Sequence, residues 1–237
     1  MDNRDSRTEM LIGKDATERI KVASVAIFGI GGVGGYALEA LCRAGVGRFL
    51  LVDSDRVCES NINRQIIATE KTVGKYKTLV AKERVLEINS SAEVETREEF
   101  FSPENENSFD LSRFDYIIDA IDSLPSKLAL IEKAKREGVE IISAMGAGNK
   151  LDPTRFEVSD ISKTTVCPLA RAVRLGLRKM GINHLKVVYS KELPTRAEDS
   201  ADERAPASIS FVPSAMGLII GGEVIKDIAL GKEREKQ

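Results

Sequence analysis

The residues able to do chemistry cluster in the first half of the chain. GIGGVGG places Gly29, Gly31, Gly32 and Gly34 between a short apolar run and a stretch of good helix formers. Glycines there let the backbone approach a phosphate, and the free N–H groups of a helix start supply partial positive charge for it. A packing turn is the alternative reading of that fingerprint alone. Asp53 follows Gly34 by 19 residues and ends a second apolar run, where a carboxylate can accept hydrogen bonds from ribose hydroxyls. The two signals together point to a nucleotide. The next segment, Asp55 to Gln65 (DRVCESNINRQ), is unusually polar and leads on to Lys77. A dinucleotide needs little extra positive charge. Attack by a carboxylate on a nucleoside triphosphate does, because the nucleophile, the α-phosphate and the departing pyrophosphate gather several negative charges that Arg, Lys and Mg²⁺ must offset. Arg64 and Lys77 fit that need, with two solvated surface cations as the plainer alternative. Asp122, just after YIIDA, is a natural Mg²⁺ ligand, or else an N-terminal helix residue favoured by the dipole.

Nucleophiles are scarce. Cys42, Cys58 and Cys167 are odd in number and widely spaced, which fits neither a disulfide framework nor a zinc site. With one histidine, His184, the Ser-His and Cys-His triads rest on a single residue and are nearly removed. Cys167 stands before Pro168 at a predicted helix start, where it is either a stabilised thiolate or a small buried residue. Cys42 reads as core, Cys58 has no visible partner, and His184 reads as a surface loop residue.

The elements that must position these residues alternate in type. Val22 to Phe28, Arg48 to Val52, Ala92 to Thr96, Tyr116 to Ala120 and Val139 to Ser143 read as strands. Between them, helices are predicted over Tyr36 to Ala44, Lys75 to Ile88 and Pro125 to Arg136, the last capped by Ser123 and stopped by Gly138. This is an α/β, Rossmann-like, mostly parallel sheet with helices on both faces and its ligand at the carboxyl ends of the strands. The C-terminal half adds strands at Arg155 to Val158 and Leu185 to Tyr189 around a helix over Leu169 to Met180. Residues 194–206 read as polar and mobile, and a long apolar helix runs from Pro213 to Leu230, with Gly217, Gly221 and Gly222 allowing close packing. The chain is treated as one domain, 1–237, with a nucleotide-binding half at 7–150 and an acceptor-binding half at 151–237.

Among the 237 residues, 42% are hydrophobic and 30% charged, and the formal net charge of −2 gives no whole-molecule attraction to nucleic acid or anionic lipid. The longest nearly apolar stretch, Ala215 to Gly222, is far too short to span a bilayer, and MDNRDSRTEM has no signal-peptide core, so a cytoplasmic protein is expected. Charge is nonetheless segregated. Between Ile161 and Lys191 there are seven cations and no Asp or Glu. Arg171, Arg174 and Arg178, with Lys179 beside them, fall on one face of the predicted helix and would bind phosphates, an ordinary solvated face being the alternative.

The motifs GIGGVGG, LVDSD, SNINRQ, the lysine of VGKYK and IIDAIDS stand in the order and spacing of the ubiquitin-activating-enzyme-like adenylyltransferases, and the chain resembles that superfamily. The resemblance implies that Gly29, Gly31, Gly32 and Gly34 hold ATP together with Asp53 and Asp55. It gives Asp53 the ribose, Arg64 and Lys77 the phosphates, Asn61 the neighbourhood of the α-phosphate and Asp122 the Mg²⁺. Arg7, in RTEMLIG, is similar to an N-terminal arginine that reaches the partner's ATP across a homodimer. Within the superfamily, RTEMLIGKDATERIK, NINRQI, DISKTTVCPLARAVR and ISFVPSAMGLIIGGEVIKD resemble the bacterial tRNA threonylcarbamoyladenosine dehydratases from about residue 7 to 230. That group implies activation of the carboxylate of the modified base, followed by ring closure by the substrate's own ureido group, which needs no enzyme nucleophile. The expected cofactors are ATP and Mg²⁺, with room for a monovalent cation and no zinc. The expected partners are the tRNA, a second copy of the chain and a sulfur-relay protein. An adenylyltransferase acting on the C-terminal glycine of a ubiquitin-like sulfur carrier is the second reading, and an NAD-dependent oxidoreductase, disfavoured by Arg64, Lys77 and Asp122, is the third.

Overall fold

The computed structural model describes residues 4–195 and 206–231. Seven strands form one sheet: β1 (Ser24–Phe28), β2 (Arg48–Val52), β3 (Glu93–Arg97), β4 (Tyr116–Asp119), β5 (Glu140–Ala144), β6 (Phe156–Asp160) and β7 (Lys186–Ser190). Their order is β3-β2-β1-β4-β5-β7-β6, and every neighbouring pair is parallel except β6 with β7. The chain winds outward from β1 to β3 and then crosses back to lay β4 on the other side of β1. A crevice therefore opens at the carboxyl ends of β1 and β4, the switch point at which such sheets bind ligands.

Continuous burial explains the strands. All five residues of β1 and all four of β4 are buried, and their alternate side chains feed two cores. Val25 and Ile27 face a core built with α2 (Lys14–Val22), α3 (Gly34–Ala44), α4 (Lys77–Ile88) and α7 (Phe211–Leu230). Ala26 and Phe28 face the other, closed by α5 (Leu124–Glu137) and α6 (Pro168–Lys179). Gly217 and Gly221 bring α7 against α3, since a Cβ on Gly221 would come 2.7 Å from Ala40 Cβ. Gly222 faces open space, so its expected part in that packing is corrected.

Several boundaries move. Val22 ends α2 instead of starting the first strand, and the N-terminal helices α1 (Ser6–Ile12) and α2 precede the sheet. The helix expected from Lys75 begins at Lys77, because Tyr76 is extended and bridges to Arg56. Gly138 stops α5 as expected, in the left-handed conformation at φ 71°, but the Ser123 side chain makes no capping hydrogen bond. Most of the polar stretch 194–206 lies outside the described residues. Among those described, no helix is long and apolar enough to cross a membrane.

Candidate nucleotide-binding site

The crevice at the switch point is a cavity of about 400 Å³, lined by the glycine turn, residues 52–55, Asn61, Arg64, Gln65, Lys77, 99–101 and 120–122. The glycines have different tasks. Gly29 has φ 92°, and a Cβ there would sit 2.6 Å from the Ala120 carbonyl oxygen of the adjoining strand end. Gly34 packs on the Gly29 carbonyl, which holds the start of α3 against β1. Gly31 alone of the four faces free space, its nearest neighbour being the Gln65 amide at 3.9 Å. Two glycines thus shape the turn and one opens it to a ligand.

Asp53 ends β2 with both oxygens engaged: Ile30 N–H donates to one at 2.7 Å and Asp55 N–H to the other at 2.8 Å. Burial raises its pKa, and the opposing charge of Lys77 does not cancel that rise. The lone pairs still free on this nearly buried carboxylate suit hydroxyl donors. Lys77 is only 6% exposed, yet lies 24 residues further along the chain. It returns because Val57 N–H donates to the Lys75 carbonyl, Arg56 bridges to Tyr76 and stacks 3.8 Å over its ring, and Lys77 N–H donates to the Asp55 carbonyl. Its ammonium then sits 2.6 Å from Asp55 and 3.8 Å from Asp53. Asp55 is largely open to solvent, so a phosphate can replace it as the partner of Lys77 without unburying anything.

Arg64 lines the cavity with one guanidinium nitrogen held, donating to the Ser60 carbonyl and to Asn63 Oδ1, each at 2.9 Å. Asn61 is buried and accepts from Cys58 N–H at 3.1 Å. Asp122 is exposed on the rim. Gln65, which the sequence alone did not single out, is 6% exposed, and its Oε1 has no hydrogen-bond partner among the described residues. A buried acceptor without a donor is costly, so a ligand or water donor is expected there. Phe28, Phe101 and the half-exposed Phe100 supply an apolar wall of the size a base needs.

Behind the rim lies a second cluster absent from the sequence reading. Lys127 and Asp119 are fully buried, 2.8 Å apart, and Lys127 also donates to Ser143 Oγ and the Ala144 carbonyl. Ser143 donates to Asp119 Oδ2, and Asp119 Oδ1 accepts from Ile121 N–H at 3.1 Å. This carboxylate therefore fixes the peptide that precedes Asp122. The signal was present: a charged residue in an all-buried strand requires a partner.

The sequence profile of the ThiF family matches residues 5–237. This chain belongs to the ThiF family. The tRNA threonylcarbamoyladenosine dehydratase of Bacillus subtilis is 43% identical over 98% of each chain. Among solved structures, the E. coli tRNA N6-threonylcarbamoyladenosine dehydratase in complex with AMP superposes with a TM-score of 0.88 at 33% identity, covering 96% of this chain and 94% of that one. The same enzyme in complex with ATP gives 0.87 at 32% identity over 99% and 96%.

In this ThiF-family chain, the remaining sequence-predicted residues lie away from the cavity. Arg7 is exposed on α1, which is tied to the amino edge of the sheet: Asp5 pairs with Lys21 at 3.0 Å and Arg4 donates to Asn89. It does not line its own chain's cavity, as the expected reach to a partner's cavity allows. The run of cations from Ile161 to Lys191 is less open than expected. Arg174 turns inward and donates to the Thr164 carbonyl and hydroxyl, Lys186 pairs with Glu223 and Asp227 at 2.8 Å each, and Lys191 pairs with Glu157 at 2.6 Å. The acidic counterweight missing from the local sequence is supplied by β6 and α7. Arg171, Arg178 and Lys179 remain exposed and make no ion pair among the described residues. Cys167 is 3% exposed, and Cys42 is buried with its thiol pushed up to about 11, so neither thiol lies open to solvent. His184 is exposed, as expected, beside Asp160.

Proposed function

We propose that this chain is an ATP-dependent tRNA threonylcarbamoyladenosine dehydratase: it adenylates the carboxylate of the modified base and promotes its cyclisation. The observation that carries the reading is 43% identity to a dehydratase across the full length of both chains. It is joined by a cavity at the switch point whose groups suit a nucleoside triphosphate. Asp53 receives the ribose, while the turn at Gly31 and the first N–H groups of α3 face the phosphates. Lys77 exchanges Asp55 for a phosphate oxygen, Asn61 lies beside the α-phosphate, and Arg64 offers its remaining N–H groups to the charge that develops on pyrophosphate. Asp122 is a single open carboxylate on the rim, and one carboxylate with phosphate oxygens is a donor set that Mg²⁺ accepts. When bound, Mg²⁺ neutralises phosphate charge there.

The chemistry asks little else of the protein. A carboxylate oxygen of the substrate attacks the α-phosphorus and pyrophosphate leaves; the ureido group then attacks the acyl carbon, AMP leaves and a proton is lost. No enzyme nucleophile takes part, in keeping with three cysteines of which two are buried. The region 7–150 acts as the nucleotide half and 151–237 as the acceptor half, with Arg171, Arg178 and Lys179 meeting tRNA phosphates. A homodimer brings Arg7 to the partner's cavity, and a sulfur-relay protein acts with the enzyme. Sulfur-carrier activation shares the ATP site and differs only in acceptor.

The experiment is incubation of the protein with ATP, Mg²⁺ and tRNA bearing threonylcarbamoyladenosine, followed by mass spectrometry of the nucleosides. Loss of one water from the modified nucleoside, together with AMP and pyrophosphate in equal amounts, is expected. Pyrophosphate release driven by a carrier protein with a C-terminal glycine, and not by the tRNA, would overturn the reading.

A further inference from the structure

The lead-in to α7 joins the C-terminal half to an arginine of the cavity. Asn149, in the loop after β5, has φ 58°, a left-handed conformation that asparagine tolerates better than most residues. There its N–H donates to the Ala207 carbonyl at 2.7 Å, its Oδ1 accepts from Ala207 N–H at 2.8 Å, and its carbonyl accepts from Thr195 N–H at 2.7 Å. One residue thus holds the chain on both sides of residues 196–205. Gly148 completes the seat, because a Cβ there would lie 2.6 Å from Pro206 Cβ. From this clamp the chain runs to Ser208, whose carbonyl accepts from Asn63 Nδ2 at 3.1 Å, and then to Pro213, which a Cβ on Gly32 would approach to 3.2 Å. Asn63 uses its other end on Arg64, whose guanidinium donates to Oδ1 at 2.9 Å. A single amide therefore grips the C-terminal half with its nitrogen and the cavity's arginine with its oxygen, and neither end can turn without losing both bonds.

We infer that Asn63 is a positioning residue for Arg64, and that it acts through the seat of residues 206–208 on Asn149, so that the acceptor half sets the geometry of ATP activation. The inference rests on the dehydratase reading. Its physical basis is that Arg64 must present its free N–H groups along one direction; the Ser60 carbonyl alone leaves the guanidinium one point about which to turn, and Asn63 Oδ1 supplies the second acceptor that fixes it. Among the described residues, Asn63 touches no cavity-lining group except Arg64 by hydrogen bond. Its loss should therefore leave ground-state ATP binding in place and weaken the transition state.

The test is steady-state cyclisation of modified tRNA by the full chain, comparing wild type with Asn63→Ala, Asn149→Gly and the double variant. Glycine keeps the left-handed backbone and removes only the side-chain acceptor. Asn63→Ala is expected to lower kcat tenfold or more, within the roughly 10²-fold that a misplacement of about 1 Å costs, with the KM for ATP changed less than about twofold. Asn149→Gly should move kcat the same way, and the double variant should be no slower than Asn63→Ala, the signature of residues that act through one another. If Asn149→Gly does not fold, Gly148→Ala displaces Pro206 and replaces it in the cycle, with the same non-additivity expected. Additive losses, or a raised KM for ATP with kcat unchanged, would overturn the inference while leaving an active wild type and the dehydratase reading intact. A wild type that does not cyclise the tRNA sinks that reading instead.

Discussion

Two lysine–aspartate clusters stand one behind the other at the carboxyl edge of the sheet, and they hold charge for opposite reasons. Lys77 lies between a nearly buried Asp53 and an Asp55 side chain that is 65% exposed. Lys127 and Asp119 are both sealed at 0%, with every partner supplied by the protein. In the open cluster one carboxylate can be exchanged for a ligand anion, whereas the closed cluster has nothing to exchange. Its work is to fix the peptide at Ile121, one residue before Asp122. Charge at the rim is open to a ligand, and the same pair of residue types in the closed cluster serves geometry.

Breaking the closed cluster should have the largest effect. Lys127→Met leaves Asp119 buried and unpaired, and a loss of about 3–5 kcal/mol is expected in denaturant unfolding. A melting curve that matches wild type would show that the cluster is not what holds the loop. In the open cluster and around it, Arg64→Ala and Asp122→Ala should keep the fold and lose adenylate formation by about 10²-fold or more, the effect of removing one preorganised stabiliser of developing charge. Near-normal pyrophosphate release from either variant with intact circular dichroism would remove that residue from the site.

Helix α6 repeats the contrast on a smaller scale. Arg174→Ala strips a donor from the buried Thr164 and should cost about 1–3 kcal/mol of stability, with tRNA affinity nearly unchanged. Reversal of the open residues, Arg171→Glu with Arg178→Glu and Lys179→Glu, should leave stability and ATP binding alone. It should raise the KM for tRNA and lower the log–log salt slope by about one unit for each phosphate no longer neutralised. An unchanged slope would place the tRNA elsewhere.

Asp53 sharpens the comparison because it is nearly buried yet belongs to the open cluster. Burial raises its pKa above the ordinary 3.8, so its ionised form costs the fold stability at neutral pH, and that cost disappears as the pH falls through the raised pKa. Asp53→Asn should therefore be more stable relative to wild type near neutrality than in acid, while ATP affinity falls. A stability difference independent of pH would mean that the charge is not what burial penalises. The smallest effect is expected from Cys167→Ser, which should leave cyclisation largely intact; complete loss with an unchanged fold would point to covalent catalysis.

The sequence by itself determined the alternation of buried strands and helices, the glycine turn, and the polar return from Asp53 to Lys77. Each of these is local: a run of apolar residues, a spacing, a cluster of glycines that a side chain would obstruct. Asp53 and Asp122 were legible because they follow strand ends, which can be read from the apolar runs, whereas Arg64 and Lys77 were read from the polar segment after Asp53 and from the family resemblance. The tertiary structure alone decided the rest. Asp119, Lys127 and Ser143 meet through three different elements, and Asn63, Asn149 and Ser208 through three segments far apart in the chain. The basic run 161–191 was read without its partners for the same reason, since Glu157 pairs with Lys191 from β6 and Glu223 and Asp227 pair with Lys186 from α7. Coulomb and hydrogen-bond energies depend on separation in space, and over distances of about 3 Å that separation is set by packing, which no local pattern of residues records.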